Sequence, residues 1–134
     1  MRSVTAVLTL LAFAAAARAE NWVEVGADTE AKFYVDQDSI EVDRDTVRVT
    51  KRGIYTHTLT ENFGGHKASF RETRGTVEID CARRINRVVR IDMLDENGAV
   101  VWSSGPMKQR MWEDVRPNSH SEATLDYVCS RTGT

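Results

Sequence analysis

The chain has 134 residues, with 18 Lys and Arg against 20 Asp and Glu, for a formal net charge of −2. Such an acidic balance is poorly suited to non-specific nucleic-acid binding, which requires phosphate to be neutralised. Neither of its two cysteines lies in a C-x-x-C and no histidine stands at metal-finger spacing, so neither a metal site nor a cofactor is expected.

The N-terminus has the layout of a secretory signal. Met1 and Arg2 give a positive start, Val4 to Ala17 is apolar, and Ala17-Arg18-Ala19 places small residues where a signal peptidase reads. The apolar run has 14 residues, short of the ~20 a spanning helix needs. Residues 1–19 are therefore expected to be cleaved, leaving 20–134 as a single domain with no integral membrane segment. The residue after the cleavage point is Glu20, not cysteine, so no lipid anchor is expected. Removing Arg2 and Arg18 leaves a more acidic chain, yet residues 51–90 carry 9 basic side chains against 4 acidic ones. Any electrostatic partner would be steered to that middle third.

Oxidising compartments favour disulfides, and two cysteines allow one intramolecular pairing, Cys81 with Cys129.

Short alternating segments follow. Trp22 to Val25 ends at Gly26, and Lys32 to Val35 ends at Asp36. Asp36, Asp38, Glu41, Asp43 and Asp45 are spaced a little like calcium ligands. A dedicated calcium loop wants glycine at its sixth position and glutamate at its twelfth; those places hold Glu41 and Val47. The run reads as a solvated turn. Thr46 to Leu59 is a long β-branched strand, and Gly53 within it marks a bulge or a close backbone approach. Thr60 to Lys67 reads as a loop and Ala68 to Cys81 as a second long strand.

The stretch from Cys81 to Leu94 has two readings. As a helix it sets Arg83, Arg84, Arg87 and Arg90 opposite Cys81, Ile85, Val88 and Val89, a basic amphipathic face. As strands it has an arginine-rich turn around Arg83 to Arg87, then a second arm. The strict alternation of Val77 to Asp80, the β-branched run and the Asn97-Gly98 hairpin signal favour strands. In that reading Val89, Ile91 and Met93 form the apolar face. The arginines then fall at a turn and on the solvated face, where they discourage edge aggregation or form an acidic-ligand patch.

Gly105-Pro106 stops the Ala99 to Ser103 strand. Ser119 to Glu122 reads as a capping box opening a C-terminal helix whose apolar side holds Leu125, Val128 and Cys129. The expected fold is α+β, mainly β: an antiparallel sheet of about six strands with the helix on one face, tethered through Cys81 and Cys129.

The pattern resembles the surface-adhesin protein E family of bacterial exported proteins. The matching elements are Trp22-Val23, Phe33 to Ile40 ("FYVDQDSI"), Glu78 to Cys81, and Asn97 to Val101. Trp112 with Val115, Pro117 and Ser119 follows, and Cys129 closes the pattern. The resemblance implies the same disulfide-tethered sheet and helix, and a role in adhesion through host matrix or serum proteins. The family's adhesin itself is carried as an outer-membrane lipoprotein; Glu20 departs from that and points to a periplasmic or secreted protein. No ligand motif carries over residue by residue.

Catalytic signatures are missing: no G-x-S-x-G, no H-E-x-x-H, no phosphate loop. His57, His66 and His120 are scattered, with His66 in the Gly-Gly loop the most exposed. Trp102 alternates with Val100 and is expected to pack, whereas Trp112 is the tryptophan placed to meet a partner. The expectation is a non-enzymatic exported binding module, with Arg83, Arg84, Arg87, Arg90 and Trp112 as its patch. Its partner would be a host protein or an envelope component. Exposed strand edges leave a homodimer open.

Overall fold

The computed structural model describes residues 20–108 and 110–133, so the signal-like segment lies outside the described residues. Eight strands form one antiparallel sheet: β1 (Trp22–Ala27), β2 (Ala31–Asp36), β3 (Glu41–Asp43), β4 (Thr46–Phe63), β5 (His66–Asp80), β6 (Ile85–Leu94), β7 (Val100–Ser103) and β8 (Glu113–Asp114). Six follow the path β1-β2-β4-β5-β6-β7, while β3 pairs with β4 and β8 with β6. One helix, α1 (His120–Thr132), closes the chain.

Alternation builds the covered face. Val47 and Val49 of β4 lie opposite Ile79 and Val77 of β5, and β2 adds Val35. Leu125 and Val128 of α1 seat against these five. Each such side chain contributes ~1.5–3 kcal/mol when fully buried. Ser119 caps α1 by accepting from Glu122 N at 3.2 Å, while Glu122 Oε1 accepts from Asn118 N at 3.2 Å. The reciprocal bond of the box is thus displaced one residue outward, because Asn118 holds a left-handed φ of 57°. Gly133 ends the helix at φ 71°. Cys81 and Cys129 are disulfide-bonded with their Cα atoms 5.7 Å apart, fastening the end of β5 to the last turns of α1.

Outside the helix-covered cluster, Ala68, Phe70, Met93 and Leu94 are also buried. Phe63 of β4 stacks on Trp102 of β7 with ring centroids 4.4 Å apart. Two strands stand between β4 and β7, and neighbouring strands lie ~4.8 Å apart, so a flat sheet could not bring these rings together. The β4–β5 hairpin must curl over. Its bend is where the register breaks between Ile54 and Leu59. Arg71 donates to the freed carbonyls there, from Nε to Tyr55 O and from Nη2 to Thr56 O, both at 3.1 Å.

Several local readings change. The loop read over Thr60 to Lys67 is strand on both sides of a turn at Gly64 and Gly65, whose φ values of 62° and 90° suit glycine. The bulge near Gly53 lies beyond it; Gly53 itself is a close approach, since a Cβ there would meet the Phe33 ring at 3.2 Å. At Asp95 to Ala99 only Gly98 has positive φ. The Asp95 carboxylate accepts from the N–H groups of Asn97 and Ala99, making a wider loop than the two-residue turn that the Asn-Gly pair suggested.

Candidate functional site

The turn between β5 and β6 spans residues 81–84, tighter than the expected Arg83 to Arg87. Arg84 occupies a left-handed position at φ 53° and reaches the helix, pairing with Asp126 at 3.2 Å and Glu122 at 3.6 Å. Arg83 is exposed, and among the described residues its side chain has no ion pair. Arg87 and Arg90 stand instead in β6, on the helix-free face. The expected arginine patch is therefore divided: Arg84 is engaged by α1, while Arg87 and Arg90 share a different surface.

A register shift between Thr76 and Val77 decides what surrounds them. It pairs Val77 with Val88 and Thr76 with Arg90, leaving Val89 as the extra residue on β6. Val88 and Ile91 consequently line the covered face together with Met93, while Val89 joins the open one. Simple alternation had placed Val89 with Ile91 and Met93; the bulge moves it across.

On the open face a cleft of about 470 Å³ lies across β4, β5 and β6. Arg48, Arg87, Arg90 and Lys108 line it against one carboxylate, Glu78, with Thr76, Val89, Pro106 and Met107 completing the walls. Glu78 lies between two arginines, 3.3 Å from Arg87 Nε and 3.8 Å from Arg48 Nη2. Arg90 Nε meets Asp92 at 3.2 Å. Burial disfavours the charged form of Asp92, but hydrogen bonds from Ser103 and Arg90 and the Arg90 charge outweigh it, holding the carboxyl below its ordinary value. The cleft keeps an excess of positive charge at neutral pH, in a concave setting that focuses field lines. Trp112 stands beside it, half-buried, with the Arg87 guanidinium carbon 4.5 Å from its ring centroid. Arg48 and Lys108 were not singled out from the sequence; their place follows from strand register and from the return of the chain after β7.

The same face carries a second cationic ladder toward β1. Arg52 lies over Trp22 at 4.4 Å and Tyr34 at 5.0 Å, and pairs with Glu72 at 3.5 Å. Arg74 pairs with Glu72 and with Glu20, so the charges there are largely matched. Among the described residues no group of three or more His, Cys, Asp or Glu side chains could hold a metal ion. Nor is any described helix long and apolar enough to cross a membrane.

The sequence matches the surface-adhesin protein E family over residues 22–130. This chain belongs to the surface-adhesin protein E family. Solved structures agree on the fold. Crystal form II of Haemophilus influenzae protein E superposes with a TM-score of 0.58 at 18% identity, covering 87% of this chain and 99% of that one. Another Haemophilus influenzae protein E structure gives 0.55 at 19% identity, covering 85% and 94% respectively. Protein E from non-typeable Haemophilus influenzae gives 0.55 at 21% identity, with coverages of 86% and 88%. No curated protein matches the chain in sequence.

Proposed function

We propose that this member of the protein E family is an exported, non-enzymatic binding module whose helix-free sheet face receives an acidic segment of a protein partner. Residues 1–19 are removed on export in this reading. The observation that carries it is the cleft between β4, β5 and β6, lined by four cationic side chains and one carboxylate, Glu78, with Asp92 pairing Arg90 beside it. Arg87 and Arg90 are the central contacts, Arg48 and Lys108 the flanking ones, and Trp112 supplies an aromatic shoulder. Arginine and tryptophan are the residue types that most often dominate interface energy. An arginine fork can also take a second carboxylate through donors not used by its first.

The family supports an adhesive role, with a host matrix or serum protein as partner; an envelope component of the producing cell is the alternative. Fractionation of producing cells, followed by solid-phase binding of intact cells and of purified protein to matrix and serum proteins, separates the two. Adhesion predicts binding by both cells and protein, weakened by added salt. Recovery confined to the periplasm, with capture of an envelope protein and none of host proteins, supports the alternative. A protein that binds neither sort of partner in a salt-dependent way contradicts the proposal.

A further inference from the structure

The covered face holds a cavity that the partner-binding cleft does not use. It lies between the first turn of α1 and the part of the β4–β5 hairpin that holds Tyr55, Glu61 and Phe70. Its volume is about 240 Å³. Cavities of ~150 Å³ in protein cores already admit a benzene-sized molecule.

A missing side chain at Gly75 opens part of the space. On this face Lys51 pairs across the strands with Gly75, Gly53 with Thr73, and Gly75 with Ile91. Gly75 leaves a gap where a larger side chain would have filled the floor, a Cβ there meeting only the Arg90 carbonyl oxygen, at 3.3 Å, whereas the space over Gly53 is taken by Phe33 and Thr73. Phe33 packs across Gly53 and stacks on the His120 ring, with centroids 4.4 Å apart and planes inclined by 14°. Phe70 and Met93 complete an apolar interior.

Two cations border this interior: Arg52, which pairs with Glu72 at 3.5 Å, and Lys51. Lys51 Nζ lies 3.1 Å from His120 Nδ1, and no ion pair involves Lys51 among the described residues. Glu61 also lines the cavity without pairing to the lysine. An ammonium carries three donors, of which His120 accepts one. Burial depresses the Lys51 pKa to about 8, and burial together with the Lys51 charge depresses that of His120 to about 4. Near pH 7 the lysine is mainly charged and the histidine neutral, with Nδ1 accepting and its ring proton on Nε2. Lys51 is half-buried, and a carboxylate brought to its ammonium would supply the counter-ion it lacks through a charge-assisted hydrogen bond.

We propose that this cavity binds a small monocarboxylate with an apolar body, its carboxylate received by Lys51 and its body lying over the glycine floor against Phe33, Phe70 and Met93. The ligand need not compete with a protein partner, because the arginine cleft opens on the other face of the sheet.

The test titrates the purified, oxidised protein at pH 6.5 with 3-phenylpropanoate and octanoate, each compared with its uncharged amide. Binding is followed by calorimetry and by amide NMR shifts. Both acids are expected to saturate the protein and to bind at least about tenfold more tightly than their amides, as expected for a charge-assisted contact. Shifts should centre on Gly53, Gly75 and His120. Lys51→Met should reduce acid binding about tenfold or more and leave amide binding within about twofold. Equal affinity of acid and amide, no saturation at ~10 mM ligand, or shifts centred on Arg87 and Arg90 would each overturn the proposal. The acid–amide comparison uses the unaltered protein, so it decides the matter even where a variant folds poorly.

Discussion

The guanidinium carbon of Arg87 lies 4.5 Å from the ring centroid of Trp112, joining residues 25 positions apart at one side of the basic cleft. A cation over an indole face is worth ~0.5–1 kcal/mol where solvent reaches it. A double-mutant cycle of Arg87→Ala and Trp112→Ala, read by urea unfolding, should return a coupling energy in that range. Additive single losses would show that the contact contributes nothing in solution.

Much of this architecture was legible because its causes are local. Alternation in Thr46 to Val49 and Val77 to Asp80 reports a half-buried sheet directly, and Ser119 with Glu122 marks the helix start. The pairing of Cys81 and Cys129 followed from counting two thiols in a chain expected to be exported. What stayed hidden depends on register and long-range closure. The bulge at Thr76/Val77 exchanges the sides of Val88 and Val89, and no local pattern marks it. The convergence of Arg48 with Arg87 on Glu78 requires knowing which residues face one another across three strands. Phe63 meeting Trp102 is a consequence of the hairpin's curl. His120 looked like an ordinary helix-start residue until β2 and β4 placed Phe33 and Lys51 against it.

The disulfide joins residues separated by 48 positions, and chain-entropy estimates give about 4 kcal/mol for a loop of that length. Replacing both cysteines with serine should lower the unfolding free energy by ~3–4 kcal/mol, read from denaturant midpoints under matched conditions. A loss below ~1 kcal/mol would mean that α1 holds to the sheet by packing alone.

His120 should make stability depend on pH. Burial is the main cause of its depressed pKa of about 4; the Lys51 charge adds to it, while Asp28 pulls the other way. Above pH ~6.5 the ring is neutral in both folded and unfolded chains, so it contributes no slope. Between pH ~6.5 and ~4 the unfolded chain takes up a proton that the folded one resists, so stability falls as pH falls. Because the ring is partly exposed, solvent screening limits the effect to ~1–2 kcal/mol. His120→Phe preserves a ring over Phe33 and should flatten this part of the profile, leaving the slope due to carboxylates. Parallel wild-type and variant profiles would contradict the assignment.

In the proposed function a protein partner recognises the helix-free cleft rather than the β5–β6 turn. The most direct measurement of this is the affinity of Arg87→Ser/Arg90→Ser and of Arg83→Ser/Arg84→Ser for one captured partner, each across a range of salt concentrations. The first pair should lose at least about tenfold in affinity and most of its salt dependence, while the second stays within about threefold of wild type. The reverse order, or an unchanged affinity for the first pair in a folded protein, would contradict recognition through the cleft.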